Sequence, residues 1–444
     1  MNLKDLTFKG GVNVPHYKEL SENAPLERAT DPDVVMIPLH QHVGAPCEAL
    51  VKPGDEVKVG EKIGESDAFV SAPVHSSVSG KVKSITPMAT PTGLKVNCVV
   101  IESDGKNELH ESIKPKGKLE ELSPKEIIEI IKEAGITGMG GAGFPTYVKL
   151  SPPSDKKIDT IIINGAECEP YLTADHKLML DESEKIVFGL KAIMKAVGVS
   201  NGIIAIENNK LDAIETMEKA IKGENNIKVA SLKVKYPQGD EKRLISATLG
   251  RAVPSGGLPM DVGAIVCNVS TTKAIADAIL EGKPLYERVV TVTGRGIKTP
   301  KNLIAKIGTP FKDLIAQCNG FNEGAPGKIV MGGPMMGISQ FTIDVPVIKG
   351  SGGILVLTEE EAKPEPVGPC IKCGKCLEVC PVGLQPLNLS AYSLKGKYDE
   401  AEKLHALDCV ECGSCSYICP AKRPLVESIR LAKREIISKR KKSN

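Results

Sequence analysis

Eight of the 13 cysteines fall in two matching runs, Cys370-x2-Cys373-x2-Cys376-x3-Cys380-Pro381 and Cys409-x2-Cys412-x2-Cys415-x3-Cys419-Pro420. Three thiolates spaced by two residues can wrap three corners of an iron–sulfur cubane, while the fourth, before Pro, reaches across to a neighbouring cluster. The runs therefore predict crossed sets. Cys370, Cys373, Cys376 and Cys419 would hold one [4Fe–4S] cluster; Cys409, Cys412, Cys415 and Cys380 would hold the other. A pair of structural zinc sites is the rival reading, but four ligands per zinc do not account for a repeated x2-x2-x3-Cys-Pro spacing. Clusters carry single electrons, so this part of the chain needs a donor and an acceptor. The other five cysteines are scattered, and Cys47, Cys98 and Cys318 read as small buried side chains.

A second chemistry-bearing stretch is the loop Gly138-Met-Gly140-Gly141-Ala-Gly143-Phe144-Pro145-Thr146. It formally satisfies G-x-G-x-x-G, but it follows a helical pattern and runs into Phe-Pro, whereas a dinucleotide fingerprint follows a strand and opens a helix. Its glycines still let backbone N–H groups approach a phosphate or a flat ring, and Lys149 could add a point charge. A flexible turn is the alternative. Three further loops carry polar groups: Asn164-Gly165-Ala166-Glu167-Cys168-Glu169-Pro170 at the end of an apolar strand, Tyr236-Pro-Gln-Gly239-Asp240-Glu241, and Cys267-Asn268-Val269-Ser270-Thr271. Loops at strand ends are where α/β proteins bind ligands.

These residues need a scaffold. A chain of 444 residues suggests about three domains, and an almost neutral formal charge of +2 gives no reason to expect nucleic acid as a partner. No apolar run approaches membrane-spanning length. Residues 34–112 are rich in Val, Gly and Pro, with turn signals separating short alternating runs, and predict a small all-β module. Ser123-Pro124-Lys125-Glu126 is a capping box with Pro at the first helical position, ahead of Ile127, Ile130, Ile131 and Ala134 at helical spacing. Beyond the glycine loop, strands over 158–164, 202–207 and 227–235 alternate with helices over 181–197 and 209–222, which points to an α/β layer. Residues 284–357 return to β character around one helix at Lys312 to Cys318. AKPEPVGP (362–369) is a Pro-rich linker into the cysteine-rich end. Between the cysteine runs, LNLSAYSLKG and KYDEAEKLHAL read as two short helices.

Taken together, the cysteine-rich end resembles the helical bacterial-type two-cluster ferredoxin domains. The runs 50–65 and 69–85 resemble the halves of a biotinyl/lipoyl-type barrel-sandwich hybrid, without the modifiable Lys at the hairpin Glu65-Ser66-Asp67-Ala68. GMGGAGFPT, NGAECEP, YPQGDE and CNVSTT look, in that order, like the flavin- and NADH-binding motifs of the respiratory complex I flavoprotein. With the leading FKGGVNVPHYKEL and a β-grasp (SLBB-like) region, the whole chain is similar to the RnfC family, a component of the Rnf complexes, which are membrane-associated ferredoxin:NAD+ oxidoreductases. The resemblance implies four domains: a barrel-sandwich hybrid (1–113), an FMN/NADH-binding α/β domain (114–283), an SLBB-like β-grasp domain (284–361) and a two-cluster domain (362–444).

It also implies roles. Gly138, Gly140, Gly141, Gly143 and Lys149 would hold the phosphate and face of a non-covalent FMN. Asn164, Glu167, Gly239, Asp240, Asn268 and Thr271 would line its ring and ribityl chain. Phe144 would stack on NADH, and Glu169 and Glu241 would bind nucleotide ribose or amide groups, favouring NADH over NADPH. Ala166 and Cys267 depart from the complex I pattern, which has Asp and Asn there, and Cys168 replaces a Ser. The implied enzyme is one component of an oxidoreductase and couples hydride exchange at FMN to two [4Fe–4S] clusters. Other Rnf subunits would move Na+ or H+, reach ferredoxin, and hold this chain at the cytoplasmic face of the membrane. A soluble cobalamin reductase of the propanediol-utilisation type, and a non-catalytic ferredoxin-like relay, are the competing readings.

Overall fold

The capping box forms: the Ser123 hydroxyl accepts from the Glu126 N–H, and the Glu126 carboxylate accepts from the Ser123 N–H. Helix Pro124–Glu133 follows, with Ile127 and Ile131 fully buried. It leads into a parallel sheet whose strands lie in the order Ile227–Leu232, Asn201–Glu207, Thr160–Gly165, Ala264–Asn268. Burial on both faces explains the uninterrupted Ile161-Ile162-Ile163. Ile161 and Ile163 meet Leu190, Ile193 and Ile275 on one side. Ile162 meets Leu244 and Ile245 on the other, where Leu3 and Leu6 from the start of the chain also pack. The chain starts this sheet in the middle, extends it to one side, then returns to add Ala264–Asn268 on the other. Crossovers that part in this way open a crevice at the carboxyl ends of Thr160–Gly165 and Ala264–Asn268. The helix expected over 181–197 forms as Ser183–Val197, and a further helix, Ala174–Asp181, which the sequence does not signal, precedes it.

This computed structural model describes residues 3–443. The all-β module is a sandwich of a four-stranded sheet (Val34–Pro38, Lys95–Ser103, Gly80–Ala89, Glu56–Val57) and a three-stranded one (Glu48–Ala49, Lys62–Glu65, Val74–His75). Its core is continuous with that of the α/β domain: Val35, Ile37, Ile63 and Val99 belong to one apolar cluster with Ile131, Ile161 and Ile265.

The β-grasp sheet has six strands, ordered Leu26–Arg28, Lys301–Lys306, Glu287–Thr293, Gly353–Leu357, Lys328–Met331, Ile338–Gln340, with helix Phe311–Gln317. Two of these strands carry no clear sequence signal. Lys301–Lys306 hides its pattern behind Asn302, which is buried because its side chain bonds Thr291, Thr173 and the Ser21 carbonyl. Leu26–Arg28 comes from the chain ahead of the barrel. Residues 3–28 leave the barrel altogether and run as a strap across the other domains.

The two short helices between the cysteine runs are Pro386–Leu394 and Tyr398–Lys403, packed on the terminal helix Leu425–Ser443 around Leu389, Ala401, Ile429, Ala432 and Ile436. Among the described residues no helix is long and apolar enough to cross a membrane.

Candidate functional site

The crevice gathers the four polar loops. Asn164, ending its strand, donates to the Gly239 carbonyl at 2.8 Å and accepts from the Ala166 N–H at 3.2 Å, so one side chain fixes two loops. Asn268 caps helix Val269–Leu280 by accepting from the Ser270 N–H. Its amide donates to Asp175 at 2.7 Å, and Ser270 donates to the other oxygen of that carboxylate at 2.6 Å. The glycine loop rests on this frame. Thr271 accepts from the Met139 N–H at 3.0 Å, Gly138 donates to the Phe144 carbonyl at 2.9 Å, and Val43 of the barrel donates to the Gly143 carbonyl at 3.1 Å. A Cβ on Gly140 would stand 2.7 Å from the Asn268 amide nitrogen, so only glycine lets the loop lie this close. Residues 139–142 form a tight turn, and beyond that turn no acceptor among the described residues meets the N–H groups of Gly140, Gly141, Ala142 or Gly143. Consecutive unpaired N–H groups of this kind form an anion-binding nest.

The charges beneath the crevice are unusual. Glu167 is buried, accepts from the Asp175 N–H at 2.7 Å and lies 3.7 Å from the buried Lys18 ammonium of the strap. Burial pushes its carboxyl up to about 7 against the pull of Lys18, and its second oxygen has no hydrogen-bond partner. Lys210, also buried, donates to the Ala166 carbonyl at 2.7 Å and faces Glu207 at 3.5 Å. Burial, then Glu207 and Glu169, raise the Cys168 thiol well above its ordinary value, so it is a neutral acceptor for the Gly239 N–H rather than a nucleophile. Asp240 caps helix Glu241–Leu249, and burial raises its carboxyl as well. Lys149 and Glu241 pair with each other at 3.1 Å while both remain partly exposed. Phe144 is exposed beside the glycines.

Glu169 reaches out of its own loop to the β-grasp domain. Its carboxylate accepts from the Met335 N–H at 3.1 Å and the Met336 N–H at 2.8 Å, turned away from the crevice toward the β-grasp domain. Both oxygens are thus engaged by backbone N–H groups of the β-grasp domain, the Met336 bond at an exposed position. Asp175, Lys18 and Lys210 escape sequence reading because each is one polar residue in an unremarkable context, and only the fold brings it under the loops.

The cysteines converge as two separate sets. Cys370, Cys373, Cys376 and Cys419 line one cavity, and Cys380, Cys409, Cys412 and Cys415 line another. Cys419 of the second run thus joins the first run's cavity, and Cys380 of the first run joins the second's. Among the described residues no three His, Cys, Asp or Glu side chains gather tightly enough for a single metal ion. The two sets differ in exposure. Cys412 and Cys415 are buried, and Cys412 packs with Val12 and with Tyr236 and Cys168 of the crevice loops. Cys370 and Cys373 are exposed.

Comparison with known proteins agrees with this geometry. Family models match as the RnfC barrel sandwich hybrid domain over residues 6–106, the Nuo51 FMN-binding domain over 131–277, the SLBB domain over 289–339 and the 4Fe-4S dicluster domain over 369–422. A component of the Na(+)-translocating ferredoxin:NAD(+) oxidoreductase complex of Acetobacterium woodii is 53% identical over 100% of both chains. A component of the proton-translocating ferredoxin:NAD(+) oxidoreductase complex of Clostridium ljungdahlii is 53% identical over 97% of this chain and 94% of that one. A crystal structure of an air-oxidized NAD+-reducing [NiFe]-hydrogenase aligns over 71% of this chain and 61% of that one, at 19% identity and a TM-score of 0.49. With relatives this similar over its full length, the chain belongs to the RnfC family of the ion-translocating ferredoxin:NAD+ oxidoreductase (Rnf) complexes.

Proposed function

We propose that this chain exchanges electrons between a nicotinamide nucleotide and two [4Fe–4S] clusters through a non-covalently held FMN, as the NAD-facing part of an Rnf-type complex. Bound FMN would supply the conversion between a two-electron hydride and single electrons, which neither nicotinamide nor cluster performs alone. The observation that carries the reading is the glycine turn at Gly140 to Gly143, whose N–H groups have no partner beyond the turn, set over Asn268 and Thr271, together with the packing of Cys412 against Cys168 and Tyr236 of the neighbouring loops. In that arrangement the nest and Lys149 hold the phosphate, Asn164, Gly239 and Asp240 line the ring, and Glu167, buried beneath them beside Lys18, fixes their loop through the Asp175 N–H. Phe144 and Glu241, at the open side, receive the nucleotide. No acid or base of the protein has to move a proton for hydride exchange.

The exposure of the cysteine sets orders the path. The set of Cys380, Cys409, Cys412 and Cys415 lies next to the flavin site, and the set of Cys370, Cys373, Cys376 and Cys419 opens outward, where a partner protein of the complex exchanges electrons. Attachment to the cytoplasmic face of the membrane then comes through such partners. A Na+-translocating and a proton-translocating relative are equally similar to this chain, so the choice of cation belongs to the other subunits. Anaerobic titration with NADH, followed by visible absorption and electron paramagnetic resonance (EPR), tests the reading. Flavin bleaching and reduction of two clusters are expected, with NADPH much slower; protein that carries clusters but no flavin, and is not bleached by NADH, would refute it.

A further inference from the structure

The turn 332–337 of the β-grasp domain, Gly332-Gly333-Pro334-Met335-Met336-Gly337, touches both the NGAECEP loop and the loop of Cys412 through the same few residues. On one side its Met335 and Met336 N–H groups bind both oxygens of Glu169. The fit is close: a Cβ on Gly333 would stand 2.2 Å from a Glu169 oxygen. On the other side the Met335 carbonyl lies over Gly413, 3.2 Å from where a Cβ would stand, and the Met335 side chain shares an apolar cluster with Cys412, Tyr236 and Cys168. The turn closes on itself by a Gly337 N–H to Gly333 carbonyl bond of 3.0 Å, and is tied to strand Gly353–Leu357 by a Gly332 N–H to Gly353 carbonyl bond of 2.8 Å.

We infer that Glu169 is a positioning residue: it clamps the flavin-site loop to this turn, and the turn to the loop of Cys412, thereby fixing the spacing between the flavin site and the cluster nearest to it. The assignment rests on the proposed function and replaces the nucleotide-binding role that its place in the NGAECEP motif implies. A carboxylate satisfies both N–H groups at once. An amide in its place presents one acceptor and one donor, and the donor faces an N–H, so the clamp opens on one side. Because electron transfer and cluster environment depend on placement, an ångström of slack matters more here than to a nucleotide bound elsewhere in the crevice.

The test uses the full-length holoprotein, prepared anaerobically, as wild type, Glu169→Gln and Gly333→Ala. The second variant attacks the same contact from the turn, where its methyl group must push the carboxylate away, and so covers the case in which Glu169→Gln fails to fold. NAD+ affinity is measured by calorimetry on the oxidised protein, the flavin-to-cluster step by rapid mixing with NADH, and the cluster signal by EPR. In both variants we expect NAD+ affinity within about twofold of wild type, a flavin-to-cluster step slowed on the order of tenfold or more, and an altered signal from the cluster of Cys412. Because both variants open one contact, the double variant should be no slower than the worse single one. Loss of NAD+ affinity on the order of tenfold in Glu169→Gln, or wild-type transfer and EPR in both variants, would overturn the assignment. Wild-type protein that binds neither flavin nor NAD+ would instead defeat the proposed function beneath it.

Discussion

Gly140 and Cys412 show how much of the site a single residue decides. At Gly140 the absence of a Cβ lets the loop settle on Asn268, whose amide also holds Asp175. Gly140→Ala should displace Asn268, break the frame under the nest and release FMN, so that purified protein loses flavin absorption while keeping its iron. Substitutions at the two cysteine sets should separate their places on the path. Cys412→Ala and Cys370→Ala are each expected to lower iron content by about half, one cluster of two. Their NADH responses should differ: the Cys370→Ala protein still passes electrons from flavin to the remaining cluster, whereas in Cys412→Ala the flavin bleaches and the outer cluster reduces slowly or not at all. Equal reduction of the surviving cluster in both variants would remove the proposed order. The grouping of the cysteines into two cavities was legible from spacing alone, because a cubane imposes a short, repeated pattern on consecutive residues. The burial that makes Cys412 inner and Cys370 outer was not, because it depends on which domain packs over each run.

At the scale of elements, sequence and fold agree where a segment carries its own signal. The Ser123 box, the Ile161-Ile162-Ile163 strand and the helices at Pro386–Leu394 and Tyr398–Lys403 are local patterns that tertiary contacts only reinforce. They part where a segment is stabilised by distant partners. The strap 3–28 has little regular structure of its own, and it is held by contacts no local pattern reveals. Leu6 bridges Leu232, Val12 exchanges backbone bonds with Tyr236, Gly11 donates to Val379 beside the cysteine run, and Leu26–Arg28 adds a parallel strand to the β-grasp sheet. Lys18 is its anchor. The ammonium is buried with Glu167 and donates to the Glu169 and Leu172 carbonyls. Lys18→Met leaves the Glu169 and Leu172 carbonyls without a donor and removes the cation that holds the Glu167 carboxyl down, so that carboxyl, already raised to about 7, takes up a proton at neutral pH. Lys18→Met should therefore lower unfolding free energy in urea denaturation by about 1–3 kcal/mol, the cost of the unmet polar groups, and loosen the NGAECEP loop enough to weaken FMN retention. Adding Glu167→Gln should recover part of the loss at alkaline pH, where the orphaned carboxyl would otherwise have to ionise. A double variant as unstable as the sum of the single ones would show that the two side chains are not energetically coupled.

The whole molecule behaves as a set of domains fused by buried polar contacts as much as by apolar ones, and Lys349 is the clearest case. It belongs to the β-grasp domain, it is 1% exposed, and its ammonium donates to the Pro73 carbonyl of the barrel at 2.6 Å and the Gly135 carbonyl after helix Pro124–Glu133 at 2.7 Å. Its backbone N–H is taken by Gln41 of the barrel at 3.0 Å. Three domains thus meet on one side chain, with His75 and His42 the nearby titratable groups of the barrel and Cys47 the thiol that favours the charge. Burial pulls the Lys349 ammonium down from 10.5 to about 7. The sign of the linkage follows. Between about pH 7 and 10.5 the unfolded chain holds this proton and the folded chain has released it, so the group makes stability rise with pH across that window, by at most about 1.4 kcal/mol per pH unit. Below the folded value both states are protonated and the contribution is flat. Lys349→Met removes the titration together with the two hydrogen bonds. Urea denaturation of the two proteins from pH 6 to 9 should therefore give a difference that is constant at the acid end and grows in favour of the wild type above pH 7, as its amine sheds a proton while still donating to both carbonyls. A difference that does not change with pH would mean that Lys349 stays charged at the junction of the three domains, held there by the carbonyl dipoles that face it.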